Sequence, residues 1–343
     1  LAGLCLGCGR CTAACTQGVD VPALVAALRA EHPGTRQWLF KRWMDNAPKW
    51  PWAARTARMT QKSAGRFKRF GLFLKGLAAL DQAGAVPVLA RAESYPDDHR
   101  GRPVALFPGC VGAHAAPRWT AAATGHLLGL GMDPAEADFG CCGAPLATAG
   151  LTDESFQRAA ANVAAWREAG APLLAVFCHS CRAGLMAYAD PDGPLAGVFR
   201  DEAERRAFAG AVTPLAALLK TTRFVLVEDA PFGDAAGAVG HHRPCHADDA
   251  DVDGALLRAV FGPGLDEPHG ACCGFGGVMQ LAAPELSAAV AQDAWAGFSP
   301  GTDLVLTGCS ACAVQLKARA PEGKDAGHWL EALAPARTVQ DEE

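Results

Sequence analysis

An N-terminal helical segment followed by two duplicated α/β domains with parallel strands is the fold class this sequence predicts, and three observations carry the prediction. The first is a repeated cysteine skeleton. Cys110, the pair Cys141-Cys142 and the Cys178-x-x-Cys181 motif recur as Cys245, Cys272-Cys273 and Cys309-x-x-Cys312. The last four cysteines of the second copy lie 131 residues after their counterparts and the leading one 135, so one unit is built twice. The second observation is that each element follows a short apolar run: PVALF before Cys110, GAVGHH before Cys245, PLLAVF before Cys178 and DLVLTG before Cys309. The last two are nearly continuous in apolar residues, as strands buried on both faces of a parallel sheet are. Third, helical stretches intervene, at about Ala116–Leu130, Asp153–Ala169, Val252–Phe261 and Pro284–Ala296. Strand and helix in alternation make an α/β layer.

In chain order, residues 1–34 carry a separate cysteine motif, 35–103 form a helical basic connector and linker, 104–220 make the first α/β domain and 221–335 the second. The connector reads as helical and Trp-rich to about Arg91. SYPDDHRGRP, residues 94–103, is a polar, turn-rich linker. In both domains the strands deliver cysteines at their C-terminal ends, where open α/β sheets place their ligands.

Fourteen cysteines are the most informative count. In a small secreted chain they would read as seven disulfides. Here the vicinal pairs and CxxC spacings suit metal–thiolate chemistry in a reducing compartment, hence a cytoplasmic protein. A helix opening at a CxxC points backbone N–H groups and its positive dipole at the sulfurs, which lowers thiolate pKa; CRAGLMAYA and CAVQLKARA are such helices. The glycine after each pair, Gly143 or Gly274, removes a Cβ and would let backbone approach a metal. A structural zinc takes four ligands, fewer than the five cysteines of each copy, and stays the alternative for one site.

Charge excludes some classes. Residues 36–75 hold eleven Lys or Arg and one acid, Asp45, while the whole chain carries −5, so the remainder is acidic and nucleic acid is not expected as a partner. No apolar run reaches the ~20 residues of a transmembrane helix. Arg55, Arg58, Lys62, Arg66 and Arg69 form one helical stripe, with Phe67, Phe70, Leu74 and Leu77 on a partly separate one. The basic stripe reads as a solvated face, as a dock for an acidic subunit, or as a peripheral contact with anionic lipid aided by Trp38, Trp43, Trp50 and Trp52. CCGFGGVM has Met279 where the third glycine of a dinucleotide fingerprint would stand, so a flavin or nicotinamide belongs to a partner.

The two cysteine sets, C-x30-CCG-x34-CxxC and C-x26-CCG-x34-CxxC, resemble the cysteine-rich CCG domain of the heterodisulfide reductases. The same domain marks the iron–sulfur subunits of glycolate oxidase, lactate-utilisation dehydrogenases and anaerobic glycerol-3-phosphate dehydrogenase. FPGC, CCGAP, HHRPCH, CCGFGG and TGCSAC are similar to signatures of that family, with shorter first spacers and HHRPCH in place of HDPCH. The resemblance implies one noncubane [4Fe-4S] cluster on Cys110, Cys141, Cys142, Cys178 and Cys181. A second is implied on Cys245, Cys272, Cys273, Cys309 and Cys312. Histidines flank these sets: His114, His179, His242, His246 and His269. Each reads as a proton donor or as a hydrogen-bond partner of cluster sulfur.

Cys5, Cys8, Cys11 and Cys15 have the C-x2-C-x2-C-x3-C spacing of a bacterial ferredoxin motif, which holds a [4Fe-4S] cubane. In two-cluster proteins the fourth cysteine ligates the other cluster, and no cysteine outside the repeats is left to complete the first. TQGVDVPAL resembles the tail of a second such motif and the chain opens on Leu1, so an upstream motif preceding this sequence is expected. The domain order implies an iron–sulfur electron-transfer subunit of a flavin-linked dehydrogenase. Its partner would be a flavoprotein oxidising a 2-hydroxy acid (lactate or glycolate) or glycerol 3-phosphate. A further iron–sulfur or membrane quinone-reducing subunit would hold the chain peripherally at the inner membrane face, with quinone or another carrier as acceptor. The alternative implied is a catalytic heterodisulfide reductase subunit. A zinc-bound assembly protein is the third, non-redox reading.

Overall fold

The computed structural model describes residues 2–60, 68–81, 86–228, 239–247, 250–268, 270–277, 280 and 282–336. Each α/β half is a parallel sheet. In the first, β2 (Pro103–Phe107), β3 (Asp133–Pro134), β4 (Leu173–Val176) and β5 (Val212–Pro214) lie in the order β3-β2-β4-β5, every neighbour parallel. In the second, β7 (Val239–His241), β8 (Leu304–Thr307) and β9 (Asp325–His328) lie in that order, also parallel. The four residues of β8 are all buried, as are three of four in β4. Helices covering both faces of a parallel sheet demand this of its central strands. The crossover helices fall at Pro117–Gly129, Thr152–Glu168, Val252–Phe261 and Pro284–Ala296, within a residue or so of the ranges that the apolar patterning predicts.

A third sheet goes beyond what the patterning predicts. β1 (Ala90–Ser94) pairs parallel with β10 (Leu333–Ala334) and antiparallel with β6 (Arg223–Leu226). The connector's described helical turns end at Asp81, and Pro87 rather than a helix leads into the strand that contains Arg91. This strand draws together the connector with the start and the end of the second domain. Glu331 secures the same junction. Its carboxylate accepts hydrogen bonds from Arg118 and Trp119 of the first domain and from the Val86 backbone N–H of the connector. One hydrophobic core runs through both domains without a break.

The N-terminal helices, Val21–Glu31, Thr35–Asp45, Trp50–Thr60 and Lys68–Ala78, lie across the junction. Phe40, Met44, Trp50 and Leu80 form a second core with Leu146 of the first domain and Val314 of the second. Trp43 stacks on Trp50 at 5.1 Å, whereas Trp38 and Trp52 are exposed. Arg55 and Arg58 both face Asp81; Lys62, Arg66 and Phe67 lie outside the described residues, as do the side chains of Arg69 and Phe70. Leu74 is buried. Arg29 pins this layer to the first domain by donating to the carbonyls of Thr148 (2.6 Å) and Cys5 (3.0 Å). Gly150, at φ +82°, permits the approach, because a Cβ there would stand 2.5 Å from the Ala30 nitrogen. Among the described residues no helix is long and apolar enough to cross a membrane.

Candidate metal–thiolate centre

Both CxxC motifs are built alike. Cys178 and Cys309 follow a buried strand, keep extended backbone (φ −114° and −128°) and occupy the N-cap of the helices His179–Tyr188 and Ser310–Ala318. These helix starts meet back to back. The His179 N–H donates to the Gly308 carbonyl at 3.0 Å, and the Ser310 N–H reaches Cys178 Sγ at 3.4 Å. The hydroxyl of Ser180 lies 2.8 Å from Cys309 Sγ. Each domain thus supplies a polar group to the other domain's sulfur.

Around this meeting point the ten sulfurs of the repeats form one uninterrupted chain of thiol contacts. Its order is Cys110, Cys141, Cys142, Cys181, Cys178, Cys309, Cys312, Cys273, Cys272, Cys245. The order is a palindrome in motif position, with Cys178 and Cys309 at its centre. The Cys312–Cys273 separation is 3.1 Å. Charge collects at defined members. Thiol donors at Cys110 and Cys142 hold Cys141 well below the usual thiol range. Cys245 and Cys273 bring Cys272 down to about 2, and Cys181 and Cys309 lower Cys178. Cys110, Cys142, Cys273 and Cys312 are raised, first by hydrogen bonds to neighbouring sulfurs and then by burial. All fourteen cysteines are free. A cleft of about 810 Å³ reaches nine of the ten sulfurs as well as Cys8, and is roofed by Leu39, Phe40, Trp43, Phe73 and Leu77 of the connector.

The glycine after each cysteine pair serves a different purpose from the one expected. Gly143 and Gly274 have φ of +76° and +77°, and a Cβ would press on Ser155 Oγ (3.0 Å) and the Ser287 carbonyl (2.6 Å). Those serines belong to the helices behind the loop and bond the same glycines, Ser155 Oγ to the Gly143 carbonyl and Ser287 Oγ to the Gly274 carbonyl. Helix packing, not metal approach, takes up the missing Cβ. The loops also turn N–H groups of Gly143 and Gly274 onto Cys141 and Cys272, each at 3.4 Å.

Of the flanking histidines, His179 is buried and its Nε2 lies 2.8 Å from Asp253 Oδ2 across the domain junction. His242 is buried beside Cys273 and Cys312, while His246 is exposed at the cleft and His114 closes a short helix. His269 lies outside the described residues. Sequence reasoning missed Asp253, His328 and Asn162. His328 receives its place from the Phe177 carbonyl (3.1 Å), one residue before Cys178. Asn162 donates to the Cys141 carbonyl and accepts from the Gly140 N–H. None stands near a cysteine in sequence, so no spacing pointed to them; only Ser180, inside its CxxC, could have been found.

The N-terminal motif is arranged differently. Among the described residues no hydrogen bond joins the sulfurs of Cys5, Cys8, Cys11 and Cys15, and no three of them lie within 4.8 Å of one another. Cys11 is exposed, and the Cys5 sulfur accepts from the Gly7 N–H. Cys15 is lowered by the backbone N–H groups of Val19 and Gln17, within its own following turn. Cys8 alone of the four lines the cleft. The family model for the cysteine-rich domain, CCG, matches residues 104–186 and 239–317. None of the curated proteins compared with the chain matches it.

Proposed function

We propose, from the premise that the chain carries two copies of the CCG cysteine-rich domain, that it is an iron–sulfur electron-transfer subunit of a flavin-linked dehydrogenase complex. The observation that carries this reading is the unbroken sulfur chain with Cys178 and Cys309 at its centre. Ten thiols linked each to the next, several buried and three held toward thiolate, fit a metal–sulfur group far better than a set of inert buried cysteines. Cys110, Cys141, Cys142, Cys178 and Cys181 would hold one noncubane [4Fe-4S] group, and Cys245, Cys272, Cys273, Cys309 and Cys312 a second. Zinc at one of the two is the alternative content. Cys5, Cys8, Cys11 and Cys15 would hold a cubane. Bound there, such groups supply reversible one-electron storage.

The chain's own residues prepare that chemistry. Backbone N–H groups of Gly143, Gly274 and Ser310 point at cysteine sulfur, and hydrogen bonds to sulfur tune a cluster's potential. Connector side chains roof the cleft with apolar and aromatic surface, which limits water at the sulfurs. The partner is a flavoprotein oxidising lactate, glycolate or glycerol 3-phosphate. The acceptor is a quinone or another carrier, and the complex works in the cytoplasm or at the inner membrane face through a further subunit. Anaerobic reconstitution with iron, sulfide and zinc analysis tests the reading. Expected are bound iron and sulfide and a visible absorbance that dithionite bleaches; a colourless zinc protein overturns it.

A second reading, a thiol–disulfide reductase acting on a heterodisulfide, is favoured by the cleft itself, whose roughly 810 Å³ opens onto both cysteine sets. Turnover of a heterodisulfide by the reduced chain without flavoprotein decides for it.

A further inference from the structure

The duplicated sites differ at one matched position. Phe107 and His242 each stand three residues before the leading cysteine of their set. The sheets match them as well. Phe107 pairs with Val176, two residues before Cys178, and His241 pairs with Leu306, which puts His242 level with Thr307, two before Cys309. In the first domain the position is apolar and sealed: Phe107 is 1% exposed and packs on Phe139 at 5.3 Å. In the second it is an imidazole, 3% exposed, whose Nε2 is buried and has no hydrogen-bond partner. A ring nitrogen of His242, Cys273 Sγ and Cys312 Sγ all lie within 4.8 Å of one another. Buried polar atoms in folded proteins nearly always have partners, and here the nearest available chemistry is that of two cluster-set sulfurs.

We infer that His242 supplies an imidazole nitrogen to the metal group of the second cysteine set, a donor that the first set lacks. The inference rests on the reading that this set holds an iron–sulfur group. The form of the ring that binds metals is the neutral imidazole, whose unprotonated nitrogen is the donor. An imidazole added to five thiolates gives the second centre a donor set unlike that of the first, and the ligands of an iron–sulfur centre set its potential. The two sites are therefore unequal in potential.

The test is pulsed EPR on the reconstituted full chain grown with 15N-histidine. A directly bonded histidine nitrogen is expected in the spectrum of the second site and is lost in His242→Phe, which installs the residue the first domain already accommodates. His242→Gln, which keeps a polar side chain, loses it too, and in both variants the second site's potential moves toward that of the first. Absence of the coupling in the unsubstituted protein, or its survival in either variant, overturns the inference. If the unsubstituted protein holds no iron–sulfur group, the proposed function fails instead. The ligand question is then read with Co2+: visible bands that differ between the unsubstituted protein and His242→Gln keep the assignment, and identical bands overturn it.

Discussion

The Ser180 hydroxyl of the first domain stands 2.8 Å from Cys309 Sγ of the second. Cys309 is itself a thiol contact of Cys178, two residues before Ser180. The domains are thus joined at the sulfurs as well as through their shared core. A hydroxyl donating to sulfur stabilises the more negative, reduced state of whatever the sulfur holds, so it raises a potential. Ser180→Ala removes that donor with little change in volume and is expected to cost about 1 kcal/mol of stability at most. Redox titration followed by EPR should show one site shifted to lower potential. Identical titration curves for both proteins would mean that the hydroxyl is only a packing neighbour.

Asn162 governs the first cysteine pair from behind. Its amide donates to the Cys141 carbonyl and to the Tyr188 hydroxyl, and its oxygen accepts from the Gly140 N–H. Tyr188 in turn donates to the Cys142 carbonyl at 2.7 Å. Asn162→Ala leaves buried backbone groups unpaired, at about 2 kcal/mol, and frees the loop that aims two of five sulfurs. Outer partners of this kind are typically worth about 10–100-fold in metal affinity. Chelator challenge should release iron from the first site well before the second. Loss from both sites at equal rates would contradict the role.

Acid stability follows from Glu204. Hydrogen bonds from Arg167 and from the Arg200 side chain and N–H hold its carboxyl down at about 2. The ordinary value is near 4.5, so the folded state prefers the carboxylate. Its contribution is complete above about pH 4.5 and is lost as pH falls through about 2. Glu204→Gln should therefore lower the urea midpoint at pH 7, and the gap to the unsubstituted protein should close as the pH is taken from 4.5 toward 2. A gap of constant size across that range would rule out the ionic contribution.

What the sequence made legible, and what it hid, have physical reasons. The buried strands before Cys178 and Cys309 announce themselves because a parallel sheet covered on both faces needs unbroken apolar runs. The four crossover helices do so by length and periodicity. β1 was hidden: ARAES has no apolar run, and its pairing with β10 joins residues more than two hundred positions apart. The cysteines were legible as two sets of five, but nothing in their spacing says that the sets touch. That contact depends on how two helix N-termini, at His179 and Ser310, are turned toward each other by the core between the domains. Asp253 illustrates the same limit. It reaches His179 only because the second domain's helix lies against the first domain's CxxC turn, so close to Gly308 that a Cβ there would collide with its carboxylate.

Glu331 offers the clearest test of how the domains are held. Its side chain is 1% exposed, whereas its partner Arg118 keeps about a third of its surface in water. The second oxygen takes the Val86 N–H at 2.9 Å, so one carboxylate closes the first domain, the connector and the second domain together. Removing one member of such a group leaves the others desolvated and unpaired, and Glu331→Ala is expected to cost about 3 kcal/mol. The indole N–H of Trp119, fully buried, loses its acceptor at the same time. Glu331→Gln keeps the shape and one acceptor oxygen but not the charge, and should recover part of the loss. Because β10 follows directly after Ala332, unfolding in the variant should begin at the β1–β10 pairing. Hydrogen exchange at Ala90 and Arg91 should then rise before that in β4 or β8. Uniform acceleration across all three sheets would show instead that the junction has no local role.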